Sequence, residues 1–159
     1  MPPLIASDEE GGVVSRLPEE MGKMPSAMAL AALGAPQAVY DAAFWTGRQL
    51  RGVGINFVLA PVLDVNSNLK NPVIGVRSLG RDPQTVSALG REALRGFRDA
   101  EILCAAKHFP GHGDTAVDTH VGFALMEKSR EELRRLELVP FRMAVEEGVP
   151  AIMAAHVAL

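Results

Sequence analysis

A single cysteine, a single tryptophan and a single tyrosine are spread over 159 residues, and no long stretch of the chain is uniformly apolar. Each scarcity excludes something. One cysteine cannot close an intrachain disulfide, and Cys104 lies in the apolar run Ile102-Leu103-Cys104-Ala105-Ala106, where the expected role of a thiol is that of a small buried hydrophobe. With no run approaching the ~20 apolar residues of a membrane span, no transmembrane helix and no membrane partner are expected. Positive charge is not in excess either. The 16 Lys and Arg face 19 Asp and Glu, a formal net charge of −3, without the basic surface that attracts nucleic acid. Met1-Pro2-Pro3-Leu4 shows no basic stretch followed by an apolar one, so no leader is read there and the cytoplasm is the expected compartment.

What is present is an ordinary globular composition, 48% hydrophobic and 22% charged, with no internal repeat and no low-complexity linker. The length suits one compact domain but falls short of the roughly 250 residues of a closed eight-fold barrel. Short β-rich runs alternate with helical patterns. Pro3 to Ser7 reads as a first strand ending in the acidic, Gly-rich turn Asp8-Glu9-Glu10-Gly11-Gly12. From Pro36, at a first helical position, Val39, Ala42, Ala43, Thr46 and Leu50 recur at helical spacing, and Gly52 or Gly54 ends the pattern. Ile55 to Ala60 is a second strand, followed by an Asn-rich loop to about Arg81. Asp82-Pro83 caps a second helix to about Ala100, with Val86, Leu89, Ala93, Leu94 and Phe97 on its apolar stripe. Ile102 to Lys107 is a third strand, Ser129 and Glu132 form a capping box for a helix to Gly148, and Ala151 to Ala155 is a fourth strand. About four strands with three crossover helices require a parallel α/β sheet, and the near-continuous apolar strands imply burial on both faces.

Polar residues gather where these strands stop: Asp8, then Asp64 and Asn66, then Lys107 and His108, then His156. In a parallel sheet those ends lie on one side, so a single mouth lined by four loops is expected. The densest segment runs from Lys107 to His120 and holds three of the four histidines and two acids in fourteen residues. Its chemistry admits two readings. Imidazoles of His108, His112 and His120 with Asp114 or Asp118 could hold zinc or another divalent ion. Alternatively, no metal or other cofactor is involved, and the same groups hold a polar substrate and move a proton.

Lys107-His108-Phe109-Pro110-Gly111-His112-Gly113-Asp114-Thr115, followed by Asp118-Thr119-His120, resembles the signature of the family-three glycoside hydrolases of the bacterial β-N-acetylglucosaminidase type. The turn from Asp8 to Gly12 with Arg16, the block Ala60 to Asn66, the block Asn71 to Gly75 and the block Arg77 to Pro83 are similar to further stretches of that family in the same order. Three departures stand out: Glu9 where Gln is common, Val13 where Arg is common, and Phe123-Ala124 where Leu-Pro often follows the dyad.

The resemblance implies that residues 1–159 form a single, incomplete TIM-type (β/α) barrel spanning the family's second to about fifth strand. One βα unit would be missing in front and roughly three behind, and with them the nucleophilic Asp. It further implies a retaining glycosidase acting on terminal β-linked N-acetylglucosamine, including cell-wall fragments. Asp8, Arg16, Arg77, Lys107 and His108 would then bind the sugar, and Asp118 would orient His120 as the proton carrier, an imidazole–carboxylate dyad in place of a second carboxyl group. By itself such a piece would be inactive or weakly active. Open strand edges would pair with the missing barrel half or with a second copy, and a non-catalytic sugar-binding remnant is the remaining alternative.

Overall fold

A computed structural model describes residues 3–114, 124–125 and 128–158. Four parallel strands form the main sheet: Ala6–Ser7 (β1), Phe57–Val58 (β2), Leu103–Phe109 (β3) and, after a two-residue strand at Ala124–Leu125 (β4), Ala151–Ala154 (β5). Their spatial order is β1-β2-β3-β5, so β1 and β5 are the edges, and β4 pairs in parallel with Val157–Ala158 (β6) in a separate ribbon. This is the parallel α/β sheet expected from the strand and helix alternation, and it fits the partial (β/α) barrel that the family resemblance implies. All main-sheet pairings are parallel, which places the C-terminal ends of these strands on one side.

The connections are helical. Ala27–Ala32 (α1) and Pro36–Gly52 (α2) lie between β1 and β2, Pro83–Asp99 (α3) between β2 and β3, and Arg130–Arg135 (α4) with Leu138–Glu146 (α5) between β3 and β5. In α2 the first helical residue is proline, whose missing N–H costs nothing there, and Val39, Ala42, Ala43, Thr46, Gly47 and Leu50 turn inward. The Asp82 carboxylate accepts from the amides of Gln84 and Thr85 and so starts α3, which buries Val86, Leu89, Ala93, Leu94 and Phe97. The core is continuous between these faces and the sheet, with Leu50, Val58, Leu63, Val86, Ala106 and Ala144 wholly enclosed. Cys104 belongs to it, and burial pushes its thiol up to about 12, as suits a packing residue.

Three expectations need correction. The single helix from Ser129 to Gly148 is two helices, interrupted at Leu136 and Glu137. Pro140 is the reason: in a continuous helix its ring would clash with the carbonyl of Leu136 and its missing N–H would leave that carbonyl unpaired. Among the described residues, the three expected crossover helices become five α-helices in three connections, in part because α1 lies in a stretch with no amphipathic period and starts only at the Ser26 cap. Finally, neither edge strand is buried on both faces. At β1, Leu4, Ile5 and Ala6 are exposed, and β5 alternates between half-buried and exposed residues, with Ile152 among the exposed ones.

Helices α2 and α3 approach so closely that Gly96 has no room for a side chain. An added Cβ would lie 2.5 Å from the Tyr40 carbonyl oxygen and 2.9 Å from the Ala43 Cβ. Alanine is the better helix former by ~1 kcal/mol, but the clash is with a rigid backbone and overpacking costs about 1–3 kcal/mol. Gly96→Ala is therefore expected to lower the urea unfolding midpoint of the full-length protein. An unchanged or raised midpoint would show that the helices can slide apart at little cost.

Candidate active site

The mouth is built from β3 outward. Residues Cys104 to Lys107 are all buried, so the strand carries a lysine into the interior, where an unpaired ammonium would be costly. Two carboxylates receive it. The Lys107 Nζ lies 2.7 Å from Asp8 Oδ1 and 2.6 Å from Glu10 Oε1, both delivered by the turn that follows β1. Glu10 is shared with Arg77, whose Nε and Nη2 donate to its two oxygens at 2.7 and 2.8 Å in a bidentate fork. Arg77 comes from the one-turn 3-10 helix Gly75–Arg77 in the loop after β2, and its Nη1 is fixed by the Val73 carbonyl at 3.0 Å.

Burial opposes the charge on Glu10, but the hydrogen bonds from Arg77 and the charges of Lys107 and Arg77 outweigh it and hold its carboxyl below the usual carboxylate value. For Arg77, burial likewise opposes the charge, and the bonds and charge of Glu10 raise its pKa above the ordinary guanidinium value. Both groups are therefore ionised at neutral pH.

The β3–β5 ladder shifts register between Lys107 and Phe109, and the consecutive residues Lys107 and His108 both line one cavity. The His108 ring is set from below by Asp64, a fully buried carboxylate. Nδ1 lies 2.6 Å from Asp64 Oδ2, while Nε2 faces Arg77 Nη2 at 3.4 Å. A carboxylate only accepts and a guanidinium only donates, so the neutral ring carries its proton on Nδ1 and offers a lone pair at Nε2. Asp64 also takes the amides of His108 and His112, at 3.2 and 2.6 Å, so it organises the Lys107-to-Asp114 loop from within. Asn71 completes this layer by donating to the His112 carbonyl at 2.7 Å. The motif's two glycines are steric necessities: a Cβ at Gly113 would sit 1.9 Å from the Val65 carbonyl oxygen, and one at Gly111 would sit 2.6 Å from Glu137 Cγ.

Asp8, Arg16, Arg77, Lys107 and His108, the five sugar-binding candidates, line one cavity of about 470 Å³ at the strand ends, together with Glu10, His112 and His156. Arg16 is the outermost. Its amide and that of Leu17 donate to one oxygen of the buried Glu9, a bond that a glutamine carbonyl could accept equally well. The proton-transfer candidates Asp118 and His120 lie outside the described residues. So does the third imidazole of the metal reading; among the described residues no group of three His, Cys, Asp or Glu side chains is arranged to hold an ion. Sequence reasoning missed the bridging role of Glu10 and the positioning role of Asp64. The signal for Glu10 was its place in the acidic turn; for Asp64 it was a carboxylate inside the apolar block Ala60 to Asn66.

A family model described as the glycosyl hydrolase family 3 N terminal domain matches residues 1–159. Beta-hexosaminidase A of Pseudoalteromonas piscicida is 40% identical over 99% of this chain and 27% of its own length. Among solved structures, a family 3 beta-N-acetylglucosaminidase from Paenibacillus sp. str. FPU-7 superposes with a TM-score of 0.96 at 50% identity, over 99% of this chain and 30% of that one. NagZ from Neisseria gonorrhoeae, in complex with N-trifluoroacetyl-D-glucosamine, gives a TM-score of 0.90 at 34% identity, over 98% of this chain and 48% of that one. The chain spans less than half the length of the curated relatives it matches.

Removing the shared carboxylate tests the charge arrangement. Glu10→Gln leaves Lys107 and Arg77 undercompensated in a buried place, a loss of about 3 kcal/mol near neutral pH. Because the folded pKa of Glu10 lies below its unfolded one, its stabilisation is present above the ordinary carboxylate range and is lost as pH falls through the folded value. Denaturation midpoints of parent and variant should therefore converge on acidification. A gap independent of pH would contradict this account of Glu10.

Proposed function

The chain belongs to the family of glycosyl hydrolase family 3 N-terminal domains, and from that premise we propose that residues 1–159 bind and help cleave terminal β-linked N-acetylglucosamine in a retaining β-N-acetylhexosaminidase. One observation carries the reading: Asp8 from the end of β1, Arg77 from the loop after β2, and Lys107 and His108 from β3 converge on a single cavity. Their charges suit a pyranose. Neighbouring sugar hydroxyls donate to the open carboxylate oxygen of Asp8, while Lys107 and Arg77 donate to the hydroxyl oxygens. His108, with its proton held by Asp64, accepts at Nε2. The relatives' names and the N-trifluoroacetyl-D-glucosamine bound by the Neisseria protein support an N-acetylglucosamine glycone.

In the proposed reaction, protonated His120 gives its proton to the departing glycosidic oxygen as a carboxylate nucleophile bonds to the anomeric carbon. Neutral His120 then takes a proton from water as that water's oxygen displaces the carboxylate. Asp118 would hold the imidazole tautomer and stabilise its cation. None of the described carboxylates at the mouth is proposed as the nucleophile: Asp8 is assigned to the sugar hydroxyls and tied to Lys107, Glu10 is locked between two cations, and Asp64 is fully buried beneath three N–H donors.

The test is turnover of N,N′-diacetylchitobiose, whose alcohol leaving group must be protonated to depart, by the full-length protein. His120→Ala should lower kcat by about 10²-fold or more, the usual worth of a general acid–base group, and flatten the pH profile. Asp8→Ala should instead act mainly through KM. Equal activity of His120→Ala and the parent enzyme would remove His120 from the mechanism.

A further inference from the structure

Glu10 and Arg77 line two separate cavities. One is the mouth; the other, of about 50 Å³, lies between Ala27 and Leu30 of α1 and the inward faces of α2 and α3, where Ala43 and Phe97 bound it. The Glu10–Arg77 fork is therefore the partition between the mouth and an apolar space behind it. At roughly 10–15 Å³ for each water that space would hold only a few, so it is no second sugar pocket. Its importance is mechanical, because the fork has open volume at its back.

Helix α1 bounds that volume and touches both sources of the fork. On one side, the turn that carries Asp8 and Glu10 lies flush on the lead-in to α1. The Gly12 amide donates to the Met24 carbonyl at 2.8 Å, a Cβ at Gly11 would sit 2.6 Å from the Pro25 carbonyl oxygen, and one at Gly12 would sit 2.7 Å from the Ser26 Cβ. Ser26 then caps α1 by accepting the Ala29 amide at 3.3 Å. On the other side, α1 packs against the Gly75–Arg77 turn that delivers the guanidinium. Leu30 is half-buried against the core and is the larger of the two α1 side chains on the cavity wall.

We propose that Leu30 is a positioning residue of the sugar site, backing the Glu10–Arg77 fork from the side away from the mouth and so fixing where Arg77 meets the sugar. This rests on the reading of the mouth as a sugar site. Trimming Leu30 enlarges the space behind the fork, and surrounding structure relaxes only partly into such a void. The fork is the polar wall of that void, and a displacement of about 1 Å at a substrate-positioning group can cost as much as ~10²-fold.

The experiment measures the Kd of N-acetylglucosamine by titration calorimetry, and kcat on N,N′-diacetylchitobiose, in the full-length protein. Leu30→Ala should raise Kd by about fivefold or more with kcat within about twofold, since a contact made alike to substrate and transition state changes binding rather than turnover. Leu30→Met, of similar volume, should recover most of the affinity. Leu33→Ala trims an exposed residue at the C-cap of the same helix, away from the cavity, and should bind as the parent does. A purely structural role for Leu30 would lower the urea midpoint and leave the Kd of the folded protein unchanged. If Leu30→Ala fails to fold, Leu30→Val removes less and should raise Kd by about twofold or more. Parental Kd in the folded variant, a loss confined to kcat, or an equal rise in Leu33→Ala overturns the proposal. Arg77→Ala separates the two levels: if it weakens binding and the Leu30 variant does not, only the positioning role falls. If Arg77→Ala binds the sugar as the parent does, the assignment of Arg77 to the sugar falls and this proposal with it.

Discussion

A lysine ammonium at the inner end of a buried strand is the constraint on which the rest of this mouth depends. Lys107 is 1% exposed, and its charge is tolerable only because Asp8 and Glu10 are brought to it from the far side of β2. Glu10 in turn sits under two positive charges and orients Arg77 by a fork, and Arg77 faces His108. A sequence of forced pairings therefore links the turn after β1, the loop after β2 and the end of β3. Each side chain is held by its neighbour before any ligand arrives, and this is the pre-organisation that a sugar site needs if binding is not to be spent on ordering side chains.

Asp64 performs the complementary task below that surface. It has no exposure, yet it accepts two backbone amides and the His108 ring, so the loop from Lys107 to Asp114 is folded around a carboxylate rather than around apolar side chains. Gly111 and Gly113 are then required because Glu137 and the Val65 carbonyl occupy the space a side chain would need. The histidine-rich motif is consequently dense for two different reasons, chemistry at His108 and close packing at its glycines.

Much of this was legible from residue order. Pro36, the Asp82-Pro83 pair and the Ser129–Glu132 box mark helix starts by local rules, and the polar residues at the ends of apolar runs pointed to one mouth. The break between α4 and α5 was also present in the sequence as Pro140, but the amphipathic pattern spans the break and conceals it. What could not be read were pairings set by tertiary distance. Glu10 against Arg77 is separated by 67 residues and Lys128 against Glu137 by 9, and neither spacing has a periodicity that marks contact. The role of Asp64 was hidden for the same reason, since its donors arrive from a different strand.

The central claim is that these strand ends form a sugar site, and a crystal structure of the full-length protein with N-acetylglucosamine tests it most directly. The account predicts ring hydroxyls within hydrogen-bond distance of Asp8, Arg77, Lys107 and His108, with the Lys107–Glu10–Arg77 contacts unchanged. A sugar bound elsewhere, or bound at this mouth without touching any of those four side chains, would contradict it.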